Sequence, residues 1–542
     1  MSPPLWQAVA CALLAAVAAS RQFQGWMYFF QFDEYLPSRL WPTARRRLAA
    51  HWPWQLGLLL AGLVLAATTV AVGERWQTLP LLASGLLPLA FFRPFATRSH
   101  LKWTGRVRRL VSISGLLCFT ALVVAFWSGP AGAVLMGLID ILVVAALSLA
   151  ALIARPYESR RRRHFMSRAE ARLTAAGPLV VGITGSYGKT TTKVLLAQLL
   201  NEPDKPSFAT PESYNTTLGV CRAINEGSLP ERGVAIVEMG AYRPGEIAEI
   251  CSFSRPRVGI VTAVGLMHLE RFGSRQRIAQ AKSELLAALP RDGFAVVPSN
   301  IAERDTLLRN LRARLVSVGA PGDRWWVDRE ELTAAGTAFH LRGSSGEDVR
   351  FQVALYGPHL VADLLYALAA AAELGRPLEV LAERAAQLHG APHRLEVSQH
   401  GGITIIDDAY NSNPAGAAAA LRLLAALPGG RRVLVTPGFI ELGPEQEQRM
   451  RELGRRAAAV CTHVILVGPR HSAAVAQGLA GAGYPSDQVS VVVDLAEAQL
   501  RLPEVAGAGS VVLFENDLPD SYLEPRGVPR PGGGDRDHRR IQ

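Results

Sequence analysis

Five apolar runs crowd into the first 154 of the chain's 542 residues: Leu5–Ala19, Leu56–Val72, Leu79–Phe92, Leu110–Trp127 and Ala131–Ala154. A helix that crosses a bilayer takes about 20 mostly apolar residues. By that measure the second, fourth and fifth runs read as spans, while the first and third are short and fit tilted, re-entrant or interfacial segments. The first run has no basic leader and no small-residue cleavage site after it, which argues against a signal peptide. Charge alternates between the runs. Arg21 to Trp54 carries five arginines and Arg93 to Arg109 carries six Lys or Arg, whereas Gly73–Thr78 and Ser128–Ala131 share a single arginine. Basic loops stay on the cytoplasmic side, so five spans put the N-terminus outside an inner membrane and everything after Arg155 inside. Trp52, Trp54, Trp76 and Trp127 fall at run ends, where an interfacial belt of aromatics belongs. The net charge of +11 therefore reads as membrane orientation and not as a nucleic-acid groove. Asp140, inside the fifth run, is either functional or paired with another helix. The five cysteines form no C-x-x-C pair, so neither a zinc site nor a disulfide framework is implied.

Residues 1–155 thus read as a transmembrane domain of about five helices, and 156–176, with the block Arg160–Arg163, as a basic cytoplasmic linker. From residue 177 the pattern becomes α/β. Short apolar strands ("PLVVGIT", "GVAIVEMG", "RVGIVTAVG", "GFAVVPS") alternate with helical stretches, which predicts a parallel sheet covered by helices over 177–390. Asp323 to Leu355 reads as shorter strands with turns, and "LVADLLYALAAAAELG" as a helix ending at Gly375. A second series ("ITIIDDAY", "RRVLVTPG", "HVILVG", "VSVVV", "SVVLFEN") predicts a Rossmann-like domain over 391–523. The tail 524–542 is too poor in apolar residues to pack and reads as disordered.

The first strand of this α/β region runs into "GITGSYGKTTT". Gly182, Gly185 and Gly188 let backbone approach a phosphate, and the helix that follows opens with free N–H groups. Lys189 can neutralise terminal phosphates and Thr190 can offer its hydroxyl to Mg²⁺. A strict P-loop would have glycine at 183, where this chain has Ile183.

That variant spacing, with "VEMGAYRPGEIAEICSFSRPRVGIVTAVGLMHLERFGSRQRIAQAKSE" and "GITIIDDAYNSNPAGAAAAL", resembles the Mur ligase family from roughly Gly177 to Gly468. Within the family it is most similar to the branch that adds D-alanyl-D-alanine to a UDP-muramoyl tripeptide. The resemblance implies a central P-loop ATPase domain and a C-terminal Rossmann-like domain. It also implies an ATP-dependent reaction in which a carboxylate is phosphorylated to an acyl phosphate and an amine then displaces phosphate. On this resemblance Lys189, Lys282 and His268 act in catalysis. ATP meets Gly185, Ser186, Tyr187, Gly188, Lys189, Thr190, Thr191, His359, Arg394 and Asp408. Two Mg²⁺ ions are held by Thr190, Glu238, His268 and Lys282, the lysine in carbamylated form. Tyr410, Asn411 and Asn413 either shape a domain-closure surface or are static surface residues.

The match to the family pattern also fails in places. The family's N-terminal domain is replaced by the apolar segment. Its N-N-E-I-G reads "NTTLG" from Asn215, its T-N-V-G has Ala263 for Asn, its G-D-M reads Pro437 to Phe439, and its late K-G-S-R reads "ENDL" from Glu515. The ATP and magnesium apparatus is largely kept while substrate recognition differs. The expected function is a membrane-anchored amide ligase of cell-wall synthesis. Its partners are a peptidoglycan-type or other carboxylate, soluble or lipid-linked, an amino-acid or dipeptide amine, and the lipid bilayer, with no nucleic acid. Two alternatives stay open: a ligase for another acid such as a polyglutamate-like chain, and a non-catalytic ATP-binding scaffold.

Overall fold

The computed structural model describes residues 4–33, 35–50, 52–72, 78–87, 101–202, 204–211, 214–265, 269–333, 336–409, 413–440, 442–469 and 471–516. His268, Tyr410, Asn411, Trp76, the end of the third apolar run and the tail 524–542 lie outside them. The chain divides into two compact units, residues 1–161 and 162–522.

The first unit is helical: α1 (Leu5–Ala18), α2 (Ser20–Phe32), α3 (Pro37–Ala50), α4 (Trp52–Ala71), α5 (Thr78–Gly85), α6 (Gly105–Trp127), α7 (Pro130–Gly137) and α8 (Ile139–Ala176). Among the described residues, α6 and α8 are long and apolar enough to cross a membrane. A third candidate arises only if α1 and residues 22–31 of α2, bent by 58°, count as one span. The fifth apolar run is not one helix, because Leu138 separates α7 from α8. Trp26, Met27, Phe29, Phe30 and Phe126 are fully buried between these helices. Asp140 is buried with them, and Trp26 Nε1 donates to its Oδ1 at 2.7 Å. Pairing with another helix is therefore the role the geometry gives this acid.

The residues read as a linker are helical and belong to α8, whose Arg, Ala, Glu and Leu are all good helix formers. The helix stops at Gly177, which takes the left-handed conformation a helix end favours. In the second unit Ala169 and Leu173 are buried, and Arg172 donates to the Gly227 carbonyl at 2.9 Å.

The second unit is built on two sheets. The first has the order β2-β3-β1-β4-β5-β6-β7-β8-β9, from β1 (Leu179–Thr184), β2 (Ser207–Ala209), β3 (Val234–Glu238), β4 (Val258–Val261), β5 (Phe294–Pro298), β6 (Arg314–Val318), β7 (Trp325–Thr333), β8 (Gly336–Gly343) and β9 (Asp348–Val353). β1, β3, β4 and β5, the strands the alternating pattern predicts, are parallel, and their continuous apolar runs are buried on both faces. β2 and β6, which that pattern does not single out, and the start of β7 extend the parallel pairing with partly exposed residues. β7, β8 and β9 are antiparallel, which makes the sheet mixed and not purely parallel. The reason lies in the connections: only four residues join β8 to β9, too few for the crossover that parallel pairing needs. The second sheet has the order β10-β11-β15-β12-β13-β14, with β10 (Glu396–His400) antiparallel to β11 (Ile403–Asp408). β12 (Arg432–Thr436), β13 (His463–Val467), β14 (Val489–Val492) and β15 (Val511–Glu515) complete it in parallel.

Candidate active site

β1 ends at Thr184, and the chain turns through Gly185–Gly188 into α9 (Lys189–Leu200). Two glycines make this turn obligatory. A Cβ at Gly185 would overlap the Thr262 hydroxyl, and Gly188 has φ of 78° with the Asp363 carboxylate where a Cβ would stand. Gly182 does something else: its missing side chain makes room for Leu285 and Met239 under the sheet, so it serves packing and not phosphate.

The turn opens on a cavity of about 450 Å³. Ser186 through Thr191 form one wall, Glu238 at the end of β3 another, and His359, Arg394 and Asp408 close it from the far side. Ten of the expected site residues therefore meet in one space. Gly185 and the buried Lys282 are not among the residues that line it.

Glu238 is fully buried and saturated with donors. Thr190 Oγ1 donates to Oε2 at 3.0 Å, Asn215 Nδ2 to Oε1 at 3.0 Å, and Lys193 Nζ pairs with Oε2 at 3.0 Å. Burial alone would raise its pKa, but Lys193, Lys189 and Asn215 outweigh burial and hold it below the ordinary carboxylate value. Lys189 Nζ donates to the Gly185 carbonyl at 2.9 Å, and burial pulls its pKa down against the attraction of Glu238. Lys282, on α10 (Arg275–Ala288), is buried without a hydrogen-bond or carboxylate partner among the described residues. Burial, and secondarily the charge of Lys189, lowers its pKa well below that of a free lysine.

His359 opens the helix α11 (Pro358–Glu373), and its Nδ1 is buried without a partner. Burial and the cations Arg422 and Arg394 lower it to about 4, so the ring is neutral near pH 7. Asp363, one turn further along α11, accepts a hydrogen bond from Thr191 and is raised to about 7, burial outweighing Arg394 and Lys189. Arg394 sits between His393 (φ 58°) and Leu395 (φ 49°), a conformation that β-carbons disfavour. Two neighbouring carboxylates hold it there: His393 Nδ1 contacts Asp407 Oδ2 at 2.7 Å, and Leu395 N donates to Asp408 Oδ1 at 3.2 Å. Asp408 is raised to about 6, by burial first. Asn413 lines the cavity and caps α12 (Pro414–Ala426), donating no charge but accepting from Ala415 N and Gly416 N.

Thr190 and Glu238 offer adjacent hard oxygens, and no group of three His, Cys, Asp or Glu gathers among the described residues. That donor set suits Mg²⁺, which binds through one or two protein oxygens with water and phosphate completing its shell.

Residues 183–371 match the description "Mur ligase middle domain", and residues 393–515 match "Mur ligase, glutamate ligase domain". A UDP-N-acetylmuramoyl-tripeptide–D-alanyl-D-alanine ligase of Mycobacterium leprae is 34% identical over 381 residues, which cover 64% of this chain and 72% of that protein. The chain belongs to the Mur ligase family. The Escherichia coli K12 protein of the same name is 31% identical over 62% of this chain and 75% of its own. Among solved structures, MurF from Acinetobacter baumannii has a TM-score of 0.59 at 28% identity, covering 66% of this chain and 77% of that one. The MurF ligase from Thermotoga maritima in complex with ADP has a TM-score of 0.58 at 26% identity, covering 66% and 80%. This Mur ligase is thus an ATP-dependent ligase, and residues 1–182 lie outside both matched domains.

Several residues of the site were not anticipated from the sequence, among them Lys193, Asn215 as a partner of Glu238, Asp363, Tyr242, Thr262 and Tyr366. Asp363 carried a signal, since it is the one acid in the otherwise apolar stretch "LVADLLYALAAAA". Lys193 carried none that separates it from a solvated lysine.

Proposed function

We propose that this Mur ligase is anchored in the inner membrane with its second unit in the cytoplasm, and that it joins a D-alanyl-D-alanine-like dipeptide to the peptide of a cell-wall precursor. The observation that carries this reading is the meeting, in one cavity, of Lys189 and Thr190 with Glu238 from β3 and Arg394 and Asp408 from the C-terminal sheet. Groups from two sheets around one cavity fit a ligase whose second sheet takes part in the site. The names of the relatives support the substrates, and the apolar α6 and α8 support the anchor.

In this reading the precursor carboxylate attacks the γ-phosphate of ATP to give an acyl phosphate and ADP. The amine then attacks the acyl carbon, and inorganic phosphate leaves as the amide forms. Lys189 and the N–H groups opening α9 hold the phosphates in place. Neutral His359 offers Nδ1 as a hydrogen-bond acceptor to the nucleotide. Arg394 brings a cation from the far wall, placed there by Asp407 and Asp408. Mg²⁺, held by Thr190 and Glu238 with His268, would neutralise charge developing on the phosphoryl oxygens. Lys282 supports carbamylation because it is buried, which lowers its pKa, and has no carboxylate partner among the described residues. A neutral amine is the form that attacks CO₂, and the carbamate formed, with release of a proton, would place an anion at this position.

The test is phosphate release by the full chain in detergent, with UDP-muramoyl tripeptide or its lipid-linked form as acid and D-alanyl-D-alanine as amine. Release should require ATP, acid and amine together, and Lys189→Ala should lower it at least a hundredfold. Nucleotide binding without release under any of these pairs would instead favour the scaffold.

A further inference from the structure

The four arginines Arg160–Arg163 read as charge that keeps a segment on the cytoplasmic side. One of them has a second task. Arg162 Nη2 pairs with Glu249 Oε2, and Thr217 Oγ1 donates to the same oxygen at 2.7 Å. Both ionic side chains are about two-thirds buried, which sets the pair apart from a solvated one such as Arg222–Glu226. Thr217 opens the helix Thr217–Glu226. Ten residues along α8 from Arg162, roughly 15 Å at the rise of a helix, stands Arg172. It donates to the carbonyls of Asn225 and Gly227 at the other end of that helix, where carbonyls lack helical partners. Asn225 Nδ2 donates in turn to the Phe165 carbonyl at 3.1 Å. Between these ties, Ala169 and Leu173 of α8 share one buried apolar cluster with Val220, Cys221 and Ile224. Residues 162–173 of α8 therefore hold the helix Thr217–Glu226 at both ends, Arg172 directly and Arg162 through Glu249.

The front of that helix belongs to the active site. Thr216 caps it, accepting from Gly219 N at 3.3 Å, and Thr216 and Asn215 both line the cavity. Asn215 Nδ2 donates to Glu238 Oε1 at 3.0 Å, while Thr190 and Lys193 meet the other oxygen, Oε2. Asn215 has little room to turn away. Its carbonyl accepts from Gly240 N at 2.8 Å, and a Cβ at Gly240 would stand 2.9 Å from its Cγ. Oε1 of Glu238 therefore faces where Asn215 directs it, and Asn215 sits where the start of the helix is held. A chain of polar contacts thus runs from Arg162 through Glu249 and Thr217 to Asn215 and Glu238.

We propose that Arg162 is a positioning residue for the Mg²⁺ carboxylate Glu238, acting through Glu249, Thr217 and Asn215. The end of α8 is then a working part of the ligase as well as the segment that leads into it. Binding groups keep their function only within about 0.5 Å of the right place, so a helix start that drifts further loosens the ion. This inference rests on the reading of Glu238 as a Mg²⁺ ligand given above.

The test titrates Mn²⁺ into the full chain in detergent, with protein in excess over a non-hydrolysable ATP analogue, and follows the free ion by electron paramagnetic resonance. Arg162→Ala and Thr217→Val should each weaken Mn²⁺ binding by roughly threefold or more, while Thr217→Ser keeps the wild-type affinity. Removing a cation should by charge alone strengthen the binding of a divalent cation, so weakening in Arg162→Ala reports position and not charge. The double variant should bind about as well as the weaker single one, because both break the same chain. Analogue binding in excess chelator and the unfolding midpoint of Thr217→Val should match wild type. Wild-type Mn²⁺ affinity in both single variants overturns the positioning role and leaves the metal site standing, as do losses that add in the double variant. Loss of analogue binding in chelator to the same extent as loss of Mn²⁺ also overturns it, since the whole cavity is then disturbed. A wild-type chain that binds the analogue but no Mn²⁺ overturns the metal reading of Glu238 itself.

Discussion

Replacing Asp363 with asparagine keeps the side chain's shape and its place against Gly188 and removes one ionisable group. The folded protein raises this carboxyl from 3.8 to about 7, because burial outweighs the nearby Arg394 and Lys189. A shift of about 3 units corresponds to about 4 kcal/mol of differential interaction between the two protonation states. The sign follows from proton counting. Below about pH 4 both folded and unfolded chains carry the proton and nothing is lost. Between about pH 4 and pH 7 the unfolded chain has released it while the folded chain has not, so stability falls as pH rises. Above about pH 7 both are ionised and the loss is complete. The asparagine variant lacks this slope. In guanidinium unfolding of the full chain, its stability relative to wild type should improve by about 3 kcal/mol between pH 5 and pH 8. Trp325 and Trp326, the only tryptophans beyond residue 161, give a reporter on the second unit. A difference that stays constant over that range would refute the reasoning. It would mean that Arg394 and Lys189 hold Asp363 ionised in the fold.

Lys193→Met should destabilise the second unit by about 3–5 kcal/mol, because it leaves the buried Glu238 carboxylate without its ion-pair partner. Adding Glu238→Gln should recover much of that loss, and equal unfolding midpoints for the single and double variants would argue against it. Lys282→Arg keeps a cation but cannot be carbamylated, so phosphate release should fall at least a hundredfold while nucleotide binding persists. In wild type, exhaustive removal of bicarbonate should lower release reversibly, and indifference to bicarbonate would count against carbamylation.

What could be read from the chain, and what could not, divides along physical lines. The turn from β1 into α9 was legible because its demands are local: glycine at 185 and 188, a lysine and a hydroxyl opening a helix, all within seven residues. β1, β3, β4 and β5 were legible because burial on both faces leaves an unbroken apolar run, whereas β2 and β6, with partly exposed residues, were not. Nor was β10, because Glu396–His400 is a mostly polar edge strand whose one apolar residue, Val397, is only partly buried. The antiparallel β7–β9 extension shows only as irregularity in the sequence, since pairing direction depends on connection length and not on strand composition. Within the site, the residues missed are those whose meaning is a distant partner. Lys193 becomes a buried ion only because Glu238 comes to 3.0 Å from a strand 45 residues on. The left-handed backbone on both sides of Arg394 has no glycine to announce it, because carboxylates at the end of β11 hold it there. Local chemistry therefore located the phosphate end of the cavity, while its charge balance arises only when α9, α11 and β11 are brought together. That is why Asp363, a single acid in an apolar helix, is the position where sequence pattern and folded electrostatics can be tested against each other.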